Sequence, residues 1–115
     1  MLKISREQFD ALERNARKRF HKDIYDRLWG LHCRPIQTMP ETQVLEHMAI
    51  WHERGLSFGI ESERTMGRYL GLHLTVLPDF DRQDAVYRFL SRSDLSGDQK
   101  MTALYTRLRR REGIH

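Results

Sequence analysis

The side chains that could do chemistry are six histidines, one cysteine and a group of closely spaced carboxylates. Two metal ligands on one helix must lie three or four residues apart to share a face. Five of the histidines have no His, Cys, Asp or Glu at either spacing, and only His115 has one, in Glu112. The single cysteine, Cys33, excludes an intramolecular disulfide and a multi-cysteine metal site. We therefore expect no metal site on one helix and no other cofactor, while ligands assembled from different helices stay possible.

Asp79, Asp81 and Asp84 form the densest group of carboxylates. A calcium loop needs Gly at its sixth position, where Asp84 stands, so that pattern fails. Asp81 is instead predicted to cap the helix that follows. His73 lies in an apolar segment and is predicted to be a hydrogen-bonded core histidine. A catalytic role for His73 or for the aspartates is the alternative.

No sequence pattern of a common enzyme class is present. The chain has no Gly-x-Ser-x-Gly segment, no Gly-x-Gly-x-x-Gly segment and no Walker loop. His32 and Cys33 are adjacent, and neighbours on a helix point apart, so they do not form a nucleophile and base pair. We expect no enzymatic activity.

Length and composition predict one domain covering residues 1–115. Hydrophobic residues make up 39% of the chain and aromatic residues 10%, too much for a disordered protein. No run approaches the roughly 18 apolar residues that a membrane span requires. The first ten residues lack the apolar core of a signal peptide. These features predict a cytoplasmic protein with no membrane segment.

The net charge of +4 hides a partition along the chain. Residues 1–40 carry nine basic and five acidic residues, whereas residues 41–98 carry six basic and ten acidic residues. Residues 99–115 carry five basic residues and one acidic residue. Two basic ends therefore flank an acidic middle, which fits either a surface for a charged partner or ends that pack against the middle.

The element that positions most of the basic residues near the N-terminus is a long first helix, predicted from Ser5 to Leu31. Ser5 and Gln8 form a capping box, and 1.5 Å per residue gives a length of about 40 Å. A helix this long bends or has one end that projects from the body. The predicted apolar stripe has helical spacing and consists of Phe9, Leu12, Ala16, Phe20, Ile24, Leu28 and Leu31.

Four further helices are predicted, and no strand. The second begins near Thr38, with Glu41 completing a capping box, and ends near Gly55. The third begins after Ser62, ends before Pro78, and is apolar on most sides, so it should be central. The fourth carries the apolar residues between positions 85 and 90, and the fifth begins at Ser96 or Asp98. The prediction is an all-α fold, a compact bundle of about five helices with a long N-terminal helix.

Two sets of residues are candidates for binding a partner. On a helical wheel Arg14, Lys18 and His21 lie opposite the predicted stripe, with Arg17 at its flank, which is the usual arrangement of a solvated face. Large aromatic side chains near helix ends or turns are typical anchors at interfaces, although packing in the domain's own core is the interpretation that we favour for them. The candidate set is Arg14, Arg17, Lys18, Trp29, Trp51, Phe58, Arg107, Arg109, Arg110 and Arg111.

Several segments together resemble those of small helical proteins encoded beside type VI secretion spike and effector genes. The segments are Ala11-Leu12-Glu13 with Arg19-Phe20, Gly59-Ile60-Glu61-Ser62-Glu63-Arg64, Leu77-Pro78-Asp79-Phe80-Asp81, and Leu95-Ser96-Gly97 with Lys100-Met101 and Leu104. The resemblance extends over nearly the whole chain and involves packing and capping residues. It implies an adaptor or co-chaperone that helps an effector's chaperone before the effector is loaded on the spike.

Two functional hypotheses follow from these observations. The first is a protein-binding adaptor whose partner is an effector, its chaperone or a spike component, bound through complementary helix faces. The alternative is a helical nucleic-acid-binding protein that uses the basic N-terminal and C-terminal helices. The acidic middle of the chain disfavours this alternative because it would repel a phosphate backbone.

Overall fold

Six α-helices and one short 3-10 turn build the computed structural model, which describes residues 5–30 and 34–113 and the side chains of residues 5–30 and 36–107. The helices are α1 (Arg6–Gly30), α2 (Arg34–Thr38), α3 (Glu41–Ser57), α4 (Glu63–Thr75), α5 (Asp84–Leu90) and α6 (Gly97–Gly113), and the 3-10 turn is Phe80–Arg82. No described residue belongs to a strand, so the predicted all-α fold with a long first helix is confirmed. Leu31, His32, Cys33 and His115 lie outside the described residues.

Three of the predicted helix starts are confirmed by hydrogen bonds at their N-termini. The Ser5 N–H donates to Gln8 Oε1 at 2.9 Å while the Gln8 N–H donates to Ser5 Oγ at 3.1 Å. Ser96 and Gln99 form the same reciprocal pair before α6. Ser62 Oγ accepts from the Thr65 N–H at 3.2 Å before α4. Each cap satisfies backbone donors that have no partner within the helix.

Two predicted caps are wrong. Thr38 is the last residue of α2, and α3 follows Pro40, whose φ of −59° suits a helix start but whose side chain makes no capping bond. The five-residue α2 is too short to produce a periodic pattern, so the sequence did not predict it. Asp81 is turned into the core, and α5 begins after Gln83 without a side-chain cap.

The predicted central helix is confirmed in α4, which packs against α1, α2, α3 and α6. Seven of its thirteen residues are buried, including Met66, Tyr69 and Leu70. Gly55 of α3 allows the close approach of α4, because a Cβ there would lie 2.9 Å from Met66 Sδ. The core therefore lies around α4, with the other helices arranged on its sides.

The first half of α1 differs from the prediction. No side chain between residues 5 and 20 is buried, and Phe9 and Leu12 are 54% and 53% exposed. The buried side chains of α1 begin at His21, where the helix packs against α3 and α4, while in the exposed half Arg17 still pairs with Glu53 of α3. We call residues 6–19 the α1 arm. The arm contributes to an elongated shape with principal axes of 59, 37 and 22 Å.

The start of α6 is fixed tightly against the turn between α3 and α4. A Cβ on Gly97 would lie 2.3 Å from the carbonyl oxygen of Gly59, so only glycine fits there. Lys100 Nζ donates to the carbonyl oxygen of Phe58 at 2.7 Å, and burial lowers the pKa of Lys100. These contacts set the direction in which α6 leaves the body.

Candidate partner-binding site

A buried polar cluster holds the segment between α4 and α5 in place. Asp81 is 1% exposed and accepts hydrogen bonds from the hydroxyl of Tyr69 and, at 2.7 Å, from Arg54 Nη1. Arg54 Nη2 donates to Asp79 Oδ1 at 2.5 Å, and Trp51 Nε1 donates to the same oxygen at 3.0 Å. The guanidinium thus joins two carboxylates in the two-pronged geometry that arginine favours. We call these residues, with His73, the Arg54–Asp81 cluster.

The protonation states in the Arg54–Asp81 cluster follow from its burial. Burial is the main cause that lowers the pKa of His73 to about 3, and the Arg54 guanidinium contributes. The hydrogen bonds from Arg54 and Trp51 lower the pKa of Asp79. Burial and the bond to Asp81 raise the pKa of Tyr69. At neutral pH His73 is therefore neutral, Tyr69 is a hydrogen-bond donor and Asp79 is ionised.

The same cluster brings together three potential metal ligands, since ligand atoms of His73, Asp79 and Asp81 lie within 4.8 Å of one another. The geometry does not suit a metal. His73 Nδ1 accepts the Asp79 backbone N–H at 3.0 Å, so the proton of the neutral ring is on Nε2, and neither nitrogen offers a free lone pair. Arg54 already supplies the positive charge that both carboxylates need. We interpret the cluster as structural.

The predicted core role of His73 is confirmed, since the ring is fully buried and stacks on Trp51 with centroids 4.3 Å apart. Its Nε2 lies 3.7 Å from Asp81 Oδ2, beyond a normal hydrogen bond. Because His73 and Asp81 are closed to solvent, the cluster does not support the enzymatic alternative. Its effect is to fix Asp79 in the left-handed conformation, at φ 58°, and so to turn the chain after Pro78.

This turn builds one wall of an apolar groove between α4, α5 and α6. The groove has a volume of about 700 Å³ and eleven lining residues, of which two, Gln83 and Arg107, have polar side chains. Val76 and Leu77, just after α4, are 49% and 45% exposed, so the groove is open to solvent. Other apolar lining residues are Leu72, Phe80, Val86, Phe89 and Leu104. We call this the α4–α6 groove.

A second, smaller cleft of about 360 Å³ runs along α1 and contains charged side chains of both signs. Asp10 and Glu13 lie in it beside Arg14 and Lys18. Arg17, also in this cleft, forms an ion pair with Glu53 of α3 at 2.5 Å. Of the predicted basic residues on α1, Arg17 is therefore paired, and Arg14 and Lys18 have carboxylates in the same cleft.

His21 was placed on the solvated face by the helical wheel, and this prediction is wrong. His21 is 4% exposed, and its Nε2 lies 2.9 Å from Nδ1 of the buried His52 on α3, so one ring donates to the other. Burial lowers the pKa of both rings, that of His21 to about 4, and each is further lowered by Arg17. Both rings are neutral at pH 7.

The structure separates the other candidate residues. Trp51 is 2% exposed in the Arg54–Asp81 cluster, and Phe58 is 7% exposed against Tyr69, so a partner could contact neither and both leave the candidate surface. Trp29 is 51% exposed and stacks on Tyr25. Arg107 is exposed in the α4–α6 groove. The side chains of Arg109, Arg110 and Arg111 lie outside the described residues, although their backbone continues α6.

Apart from Arg107, the residues that line the groove were not predicted as a site. Val76 and Leu77 were assigned to the buried third helix, whereas α4 ends at Thr75 and leaves both exposed. The sequence does contain a signal for the groove: the apolar pair Val76 and Leu77 lies directly before Pro78 and the aspartates, where the chain must turn. Periodicity alone does not distinguish a buried last turn from an exposed lip of a groove.

No family model, no curated protein and no solved structure matches this chain significantly. The geometry of the described residues and the resemblance of the sequence segments are therefore the support for a functional proposal. Within the described ranges, none of the helices is both long enough and apolar enough to span a membrane.

Proposed function

We propose that this chain is a protein-binding adaptor or co-chaperone that binds a helix of its partner in the α4–α6 groove. The observation that carries the proposal is an open, apolar groove with one cationic side chain, Arg107. Amphipathic helices dock in such grooves through apolar residues spaced three, four and seven apart. A volume of about 700 Å³ accommodates several large side chains of a partner helix.

The charges of the two surfaces favour a protein partner over a nucleic acid. A phosphate backbone needs several unpaired cations along one face. On α1, Arg17 is paired with Glu53, and Arg14 and Lys18 share their cleft with Asp10 and Glu13. A partner helix, in contrast, needs only one cation in the groove, because a single acidic residue on that helix could pair with Arg107.

The cellular setting that we propose is the handling or loading of effectors by a bacterial type VI secretion system. Support for this setting is the likeness of the sequence segments described above. The partner is then the effector, its chaperone or a spike component, in the cytoplasm. The function itself is binding, without catalysis and without a cofactor.

Co-expression tests this function. The tagged chain is expressed with each protein encoded beside its gene, and we expect one of them to co-purify as a stable complex. Leu77→Glu puts a charge into the groove at a position that is 45% exposed, so it should abolish the complex and leave the fold intact. Ile50→Glu on α3, where Ile50 is 57% exposed and outside the groove, is the matched control and should retain it.

Two results would contradict the proposal. One is that no neighbouring gene product co-purifies with the chain. The other is a complex that survives Leu77→Glu unchanged, which would move the binding surface away from the groove. Saturable, salt-sensitive binding of labelled duplex DNA or RNA by the purified chain would favour the nucleic-acid alternative.

A further inference from the structure

The α1 arm exposes an apolar stripe that nothing in the described residues covers. Phe9, Leu12 and Ala16 have the spacing i, i+3, i+7 of a helix that docks in a groove, and all three are exposed. Isolated exposed apolar residues are ordinary, but aligned ones on a projecting helix indicate a contact surface. Among the residues whose side chains the structure describes, the arm and the α4–α6 groove are thus two apolar surfaces that no other element covers.

One acidic side chain of the arm is complementary in charge to the groove. Glu13 follows Phe9 by four residues, so its side chain lies beside the stripe on the arm, and it is exposed. Arg107 is the cation in the lining of the groove. An arm lying in the groove would bury apolar side chains on both surfaces and could bring Glu13 close to Arg107.

The arm cannot reach the groove of its own molecule. Residues 6–30 form one continuous helix, and from His21 onward that helix is packed on α3 and α4. Leu12 lies twelve residues, about 18 Å, before the buried Ile24 along the helix axis. Bending the arm back would require breaking the helix, so an arm that lies in the groove must come from a second copy of the chain.

From these observations we propose that the chain self-associates, with the α1 arm of one copy lying in the α4–α6 groove of another. Two arms exchanged reciprocally close the assembly as a dimer. This inference rests on the proposed function only in using the same groove. It adds a regulatory consequence, because a partner helix must displace the arm of the second copy to bind.

The first test is the mass of the purified full-length chain across a concentration series, measured by analytical ultracentrifugation. We expect the mass to rise from the monomer value of 13.8 kDa toward twice that value. Leu12→Glu in the arm and Leu77→Glu in the groove should each hold the chain at the monomer mass, while Ile50→Glu should behave as the unaltered chain does. Circular dichroism of each variant checks that the fold is retained. A chain that stays monomeric up to about 1 mM, or a dimer that survives either groove or arm variant, would overturn the proposal.

The second test distinguishes exchange from other modes of association. The Leu12→Glu chain keeps an intact groove, and the Leu77→Glu chain keeps an intact arm. Mixing the two monomeric variants should therefore restore a heterodimer through one arm and one groove. A symmetric arm-to-arm contact would leave the mixture monomeric, and that result would contradict the proposal.

The third test concerns the ion pair. Arg107→Glu should weaken the dimer about five-fold, and Glu13→Arg should do the same, which are the sizes of effect expected of an exposed pair. The chain that carries both substitutions should recover the original dissociation constant. Additive weakening in that double variant would overturn the assignment of Glu13 to Arg107. The self-association and the co-purification experiment are independent, because a chain that stays monomeric can still bind a partner helix in its groove.

Discussion

Asp81 is a buried carboxylate whose oxygens accept hydrogen bonds from two helices, α3 and α4. It accepts from Tyr69 of α4 and from Arg54 of α3, and it follows the turn that forms the lip of the α4–α6 groove. A buried charge of this kind is stabilising only while its partners are in place. The cluster therefore links the stability of the fold to the shape of the candidate site.

Asp81→Asn removes the charge with little change in shape. We expect the free energy of unfolding to fall by about 3 kcal/mol, because Arg54 loses the one of its two carboxylate partners that is buried. Asp84→Asn, at an exposed position in the first turn of α5, should cost about 0.5 kcal/mol or less. Urea denaturation followed by circular dichroism measures both, and equal losses would contradict the structural role of the cluster.

The buried His21–His52 pair predicts a pH dependence of stability. Burial lowers the pKa of His21 from 6.5 to about 4 and also lowers that of His52. Between these values the unfolded chain binds more protons than the folded chain, so stability decreases as the pH falls from about 6.5 toward 4. Asp79, with a pKa lowered from 3.8, loses its contribution only at still lower pH. His73 adds to the histidine effect.

Denaturant titrations at pH 7.5, 6 and 5 test this dependence. The unaltered chain should lose up to about 1.4 kcal/mol per pH unit for each buried histidine. His21→Gln/His52→Gln removes two of the three histidines that are buried among the described residues and should flatten the dependence. An identical slope in both chains would show that the pair is not the source of the proton uptake.

At the scale of elements, glycine decides how closely helices approach. Gly97 faces the backbone of Gly59 and Ile60, which cannot move aside as a side chain does. Gly97→Ala should destabilise the fold by about 2 kcal/mol through overpacking and should loosen the start of α6. Gly71→Ala is the matched control, since nothing lies within 4 Å of a Cβ there and alanine favours a helix, so it should be neutral or stabilising. Thermal denaturation separates the two, and a neutral Gly97→Ala would contradict the close approach.

The elements also show how far sequence reasoning extends. The capping box at Ser5 and a helix start at Ser96, with Asp98 as the alternative, depend on local chemistry, and the hydrogen bonds at Ser5 and Ser96 confirm both starts. The burial of α1 was not, because an apolar stripe of helical period predicts which residues share a face but not whether another helix covers it. Asp81 fits a capping pattern, and only the positions of Arg54 and Tyr69 in three dimensions show that it is buried instead.

For the candidate site, too, the residue type could be predicted from the sequence, whereas features that depend on helix packing could not. Arg107 was predicted as a partner-binding residue from charge, which depends on the residue alone, and it lies in the groove. Trp51 and Phe58 were candidates from their size, which serves a core and an interface equally. The groove itself depends on how α4, α5 and α6 pack, so no local sequence pattern predicts it.

On the scale of the whole molecule, the elongated structure has two exposed apolar surfaces. The arm extends from the bundle, and the α4–α6 groove remains open although most apolar side chains of the body are buried. Under the two proposals, the groove would alternate between the arm of a second copy and a partner helix, as suits an adaptor. The central claim is that the groove accepts an amphipathic helix.

The most direct measurement uses a fluorescent peptide with the sequence of residues 5–20 as the helix and the full-length Leu12→Glu chain, whose groove is intact, as the receptor. Fluorescence anisotropy should show saturable binding as the chain is added, and Leu77→Glu introduced into the same receptor should abolish it. Ile50→Glu introduced there should leave it unchanged. A flat titration, or equal binding by the receptor with Leu77→Glu, would contradict the account.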